Sequence, residues 1–217
     1  MAITAKQRQK KIEQKNKKKA LARKALRGMM HSKGQASAYA QYPIHECVVP
    51  DGLFDTGLAS IFIARRAPNG MFAVTSLILD VYCLGVKDAF FRVLTEHEYE
   101  HVLKASMIEK HEGQEFEKFH VACAKKLIDG AIEYAAGLGF SPHPDYRKAE
   151  GIFDGVDAEA CPVHYEYGRE GKPFYIRGPN ESVKRARQIV EQLAKTCGEG
   201  NFDHLIPLNE PSLFLGE

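Results

Sequence analysis

The chain has 217 residues, 44% apolar and 27% charged, with a net charge of +2; this is an ordinary globular composition, long enough for one good-sized core. No run approaches the ~20 consecutive apolar residues of a membrane helix, and the first residues lack the apolar segment of a secretory signal. The small net charge hides a division: residues 1–34 carry twelve Lys or Arg against one acid, Glu13, a local net of +11, which leaves −9 for the rest.

Within that basic extension, Lys10, Lys11, Lys15, Lys17, Lys18, Lys19, Arg23, Lys24 and Arg27 are the candidate phosphate contacts. Residues 1–30 lack Pro and hold one Gly, Gly28, so a helix is allowed. Its apolar stripe is only Leu21, Ala25 and Met29, with Ile12 apart. That is too narrow to bury much area, and the arm is expected to be mobile in isolation. Gly34 to Ala40 reads as a linker. The division is a basic extension over 1–34, a globular α+β domain over 35–200 and an extended tail over 201–217.

The first strand is expected over Tyr42–Val49, closed by Pro50-Asp51-Gly52. Ala59–Arg66 and Met71–Val81 flank Pro68-Asn69-Gly70, a hairpin signal. The second arm, FAVTSLILDVYCLGV, is almost wholly apolar, as a strand covered on both faces would be. Thr95 opens a helix to about Lys110, and a second helix follows from about Gln114 to Gly137. That second helix has a stripe of Phe116, Phe119, Cys123, Leu127, Ala131 and Tyr134. Val163–Tyr167 and Phe174–Arg177 are expected as a hairpin around GREGKP. Glu181–Thr196 is an amphipathic helix with Val183, Ala186, Ile189, Val190 and Leu193 inward, and Leu213-Phe214-Leu215 could dock the tail. The fold expected is α+β, antiparallel hairpins packed with amphipathic helices behind a basic arm.

The five cysteines, Cys47, Cys83, Cys123, Cys161 and Cys197, are odd in number and form no C-x-x-C pair. Reduced thiols in a cytoplasm fit that pattern.

EHEYEH, Glu96 to His101, contains H-E-x-x-H, the spacing by which zinc peptidases hold their metal on a helix. Thr95 and Glu98, however, have capping-box spacing. Tyr99, Val102, Leu103 and Ser106 mark the buried side, which turns His97 and His101 to solvent, and no third ligand follows at the required spacing. The pattern reads as a solvated helix face, and no metal site is assigned to it. Asp80 interrupts LILDVY, where an unpaired buried carboxylate is costly. It either ends the strand or pairs with Arg65 or Arg66, or else acts with Asp88 as a metal or acid–base carboxylate. In SPHPDY, Pro142 and Pro144 stiffen the chain around His143. His143 and Asp145 could orient an imidazole for acid–base work or bind a metal, unless Asp145 simply caps a helix at Tyr146. His45 and Cys47 alternate onto one strand face, and without a third partner they read as core.

Gly168-Arg169-Glu170-Gly171 resembles the G-x-x-G loop of K-homology domains, which clamps a nucleic-acid backbone. It stands between expected strands, not helices, and therefore reads as a turn. Arg177, Lys184, Arg185 and Arg187 beside Tyr175, with Tyr165 and Tyr167 close in sequence, offer a secondary basic and aromatic surface. The series YPIHEC, LILDVYCLGVKDAFF, GAIEYAAGLGFSPHPDY and YEYGREGKPFYIRGP resembles a family of uncharacterised bacterial proteins from Tyr42 to Cys197, excluding the arm. That resemblance implies a bacterial cytoplasmic protein and no particular chemistry.

These readings favour a nucleic-acid-associated protein, RNA before DNA, that uses its Lys-rich arm and needs no cofactor. The alternative is a metal-dependent hydrolase, nuclease included, working with a divalent metal at Asp80, Asp88, His143 and Asp145. A protein-interaction adaptor whose arm reaches an acidic partner or membrane surface is the third.

Overall fold

The computed structural model describes residues 36–110, 115–179 and 181–206. The nine candidate arm residues and the Leu213-Phe214-Leu215 segment lie outside them. The linker expected from Gly34 is partly structured: Ala36–Tyr39 form a 3-10 turn whose Ala36 is buried in the core.

Five antiparallel strands form the main sheet, in the order β4-β3-β2-β1-β5. They are β1 (Ile44–Pro50), β2 (Leu58–Arg66), β3 (Met71–Asp80), β4 (Gly85–Thr95) and β5 (Phe116–Lys118). One helical turn, α1 (Leu53–Thr56), joins β1 to β2. The β2–β3 hairpin is built on a 3-10 turn at Pro68–Gly70, as the Pro-Asn-Gly signal implied. Its pairing runs unbroken from Leu58 opposite Asp80 to Arg66 opposite Phe72.

The apolar run after Phe72 is not one strand but two. Asp80 ends β3, and its buried carboxylate accepts the backbone N–H groups of Tyr82 (3.0 Å) and Cys83 (2.9 Å). Gly85, at a φ of +65°, then admits the chain into β4. Asp80 is thus a turn-forming residue. It does not pair with Arg65 or Arg66, which lie at the opposite end of the hairpin. Arg65 donates to the carbonyls of Ile152 (2.8 Å) and Tyr42 (2.5 Å), and Arg66 lies 3.8 Å from Glu96.

Both faces of the sheet are covered, which is why β3 reads as continuously apolar. On one face Ile61, Ile63, Ala73, Leu77 and Leu79 meet Ala124, Leu127, Ile128 and Ala131 of α3 (Val121–Gly137). On the other, Phe62, Ala64, Phe72 and Val74 meet Tyr99, Leu103 and Met107. These belong to α2, a continuous helical rod of three segments, Glu96–Glu98, Tyr99–Leu103 and Lys104–Lys110. The middle segment is a π turn. Its wider winding stacks residues four apart, so Met107 is buried where Ser106 was expected, and Val102 is 40% exposed.

The helix expected from Gln114 starts later. Phe116–Lys118 is β5, paired with Val48–Pro50 of β1, and α3 follows it. The short helix α4 (Tyr146–Ala149) leads to a third cluster, where α5 (Val183–Cys197) buries Ala186, Ile189 and Leu193 against Tyr175 and Cys83. Val183 of its expected stripe is 48% exposed. The second hairpin is not formed. Arg169 and Lys172 bridge across a tight turn, with Glu170 and Gly171 both at positive φ. Val163–Tyr167 is irregular, and β6 (Phe174–Ile176) pairs instead, in parallel, with β7 (Asp203–Leu205).

Cys123 and Cys161 are joined by a disulfide, their Cα atoms 4.9 Å apart, while Cys47, Cys83 and Cys197 are free. The expectation of reduced thiols is corrected for that pair. Nothing local in the sequence marks two cysteines 38 residues apart; the packing of the 158–161 turn on α3 brings them together.

Candidate functional site

Three of the four carboxylate and imidazole candidates converge. In the Pro-His-Pro loop, the His143 N–H donates to Val86 O (2.9 Å) and its carbonyl accepts the Tyr146 N–H (2.9 Å). This anchors the loop against β4, beside Asp88. His143 Nδ1 lies 3.8 Å from Asp88 Oδ1 and 3.8 Å from Asp145 Oδ2. Those distances exceed hydrogen-bond length. Nδ1 instead accepts the Asp145 backbone N–H at 3.3 Å, so a neutral ring carries its proton on Nε2.

Each carboxylate is otherwise occupied. Asp88 Oδ1 accepts the Ala89 N–H at 2.8 Å. Asp145 receives Lys148 Nζ at 2.5 Å, and this hydrogen bond holds its carboxyl below the usual range. Asp145 stands at the start of α4 without a side-chain capping bond, so the capping role considered for it is not used. Asp80 does not join the group. Burial pushes its pKa up to about 6, opposed by the Lys87 charge and by backbone N–H groups. Among the described residues, no three His, Cys, Asp or Glu side chains are placed to hold a metal ion.

EHEYEH carries a complete capping box. The Glu98 N–H donates to Thr95 Oγ1 (3.3 Å), and the Thr95 N–H donates to Glu98 Oε2 (2.8 Å). The Thr95 backbone and hydroxyl bonds lower the Glu98 pKa, the direction a carboxylate serving as cap requires. His97 and His101 are exposed, their rings 4.8 Å apart. A general base is not available from a glutamate committed in this way.

The secondary basic surface is divided. Lys184, Arg185 and Arg187 project to solvent from the first turns of α5, whose N-cap Ser182 accepts the Arg185 N–H. Arg177 Nε donates to Glu181 O at 2.9 Å, tying it to the loop before the helix. Tyr175 is corrected outright: it is 0% exposed, its hydroxyl donates to Glu181 at 3.2 Å, and it has no face on which to stack a base. Glu181 also draws in Lys87 Nζ at 3.4 Å and the Gly178 N–H at 2.7 Å.

His45 and Cys47 do not share a face. A bulge between Ile44 and Glu46 breaks the alternation. The His45 ring consequently lies 4.8 Å from the Phe72 ring on one side of the sheet but is exposed, so it is not the core residue expected, while Cys47 is buried in the core on the other side. Both nevertheless border a half-open cavity of about 400 Å3 where the start of β1, beyond its pairing with β5, meets the start of α3, together with Lys118 and His120. The sequence reading missed this group because it placed Lys118 and His120 inside a helix. The basic pair just ahead of an apolar helical run was the available signal. No protein-family model, curated protein or solved structure matches the chain.

Proposed function

We propose that this is a bacterial nucleic-acid-binding protein, acting on RNA or a ribonucleoprotein before DNA, whose basic extension supplies the affinity. The observation that carries the reading is the charge division, +11 over residues 1–34 against −9 over the remainder. A polyanion gains from contact with the first and is repelled by the second, which orients the complex. The exposed Lys184, Arg185 and Arg187 on α5 put a further basic patch on the folded body. The Cys123–Cys161 bond pulls against a cytoplasmic location, since disulfides persist mainly in oxidising compartments.

The test compares wild type with a full-length variant in which Lys10, Lys11, Lys15, Lys17, Lys18, Lys19, Arg23, Lys24 and Arg27 are Gln. RNA binding is titrated across salt. Each phosphate contact steepens the log–log salt slope by roughly 0.7 on single strands, so the variant should bind weakly and with a flatter slope. Equal, salt-insensitive binding by both proteins removes the proposal.

A further inference from the structure

The cavity between β1 and α3 has the composition of a ligand site and is independent of the arm. Its volume of about 400 Å3 falls in the range of small-molecule pockets. Ile44, Phe119 and Val121 give it apolar walls, while His45, Lys118 and His120 supply polar groups. The frame is set in advance of any occupant. The Phe119 N–H donates to Cys47 O at 2.8 Å, and His120 Nδ1 caps the helix by accepting the Ala122 N–H at 3.3 Å.

Charge decides what fits. Glu46, the acid at the rim, is taken by Lys104 Nζ at 2.9 Å and by the Tyr99 hydroxyl. Lys118 makes no ion pair among the described residues and is exposed at the opening. Beside it α3, 17 residues long, presents the positive end of its dipole. Cys47, 4% exposed and in no disulfide, is among the residues around the same space, its side chain in the core. Burial pushes its pKa up to about 12, so it adds no negative charge at neutral pH.

We propose that this cavity binds a small organic oxyanion, a carboxylate or phosphate monoester on an apolar body. Lys118 holds the head group beside the start of α3, where His120 already takes the Ala122 N–H, and Ile44, Phe119 and Val121 line one side of the body. The experiment titrates the full-length protein with phenyl phosphate, benzoate and the neutral benzyl alcohol, following backbone amide shifts by NMR. At least one of the two anions should shift the amides of His45 and of Lys118 to Val121, and the tighter of the two names the head group. Lys118→Glu, a change at an exposed position, should weaken that binding by about tenfold or more. The proposal is overturned if neither anion moves these amides, if benzyl alcohol binds as tightly, or if Lys118→Glu binds as wild type does. Because the readout is local to these residues, anions gathered by the basic arm do not mimic a positive result.

Discussion

Replacing Asp80 with Asn should stabilise the protein near neutral pH and lose that advantage in acid. Asp80 Oδ1 holds the β3–β4 turn by accepting the Tyr82 and Cys83 N–H groups, a task an amide oxygen performs equally well. The charge, however, is buried. Folding raises the carboxyl pKa from 3.8 to about 6, so between those values the native state keeps a proton that the unfolded chain has released. Stability from this group is therefore complete below the unfolded pKa and is lost as pH rises through the folded one. The shift amounts to about 3 kcal/mol at pH 7, of which about 2 kcal/mol is lost between pH 4.5 and 7. Urea denaturation of wild type and Asp80→Asn at several pH values isolates the contribution, because the other titrating groups are common to both. The stability difference should move in favour of Asn by about 2 kcal/mol from pH 4.5 to 7. Asp80→Ala, which strips the acceptor from two buried N–H groups, should cost about 2–4 kcal/mol at either pH. A difference between Asn and wild type that stays flat with pH, or that moves the other way, refutes the argument.

Three other perturbations follow from the same geometry. Gly57→Ala would place its Cβ 2.0 Å from the Tyr82 ring at a φ of +76°; it should lose about 3 kcal/mol or more in chemical denaturation. Cys123→Ser opens a link across 38 residues and should cost about 4 kcal/mol by the chain-entropy estimate. Reducing the wild type should reproduce that loss, whereas the variant should be insensitive to reductant. The double variant His97→Ala, His101→Ala should change stability by less than about 0.5 kcal/mol and leave the metal content of the purified protein unaltered by elemental analysis. A loss of bound zinc would overturn the solvent-face reading of EHEYEH.

Much of the site argument was legible locally. Thr95 and Glu98 announced their capping box because its partners are three residues apart and need nothing else. His143 and Asp145 could be paired for the same reason, being two residues apart in a loop stiffened by proline. Tyr175 was misread because a tyrosine beside Arg and Lys looks alike whether it faces solvent or core. Only the packing of α5 over β6 buries it. Lys118 and His120 were lost through one boundary error, since a three-residue strand has too few positions to show a period.

The sequence by itself determined the α+β class, the β2–β3 hairpin, the start of α2 and the division of charge. Each follows from turn chemistry, periodicity or composition within a short window. Tertiary structure decided what depends on contacts between distant residues. It split the long apolar run at Asp80, because buried N–H groups needed an acceptor there. It brought Cys123 to Cys161, set Asp88 beside His143, and paired β6 with β7 in parallel. It also opened a cavity beside α3 from two segments some seventy residues apart. Such juxtapositions are set by the closing of the core, whose geometry no local window contains.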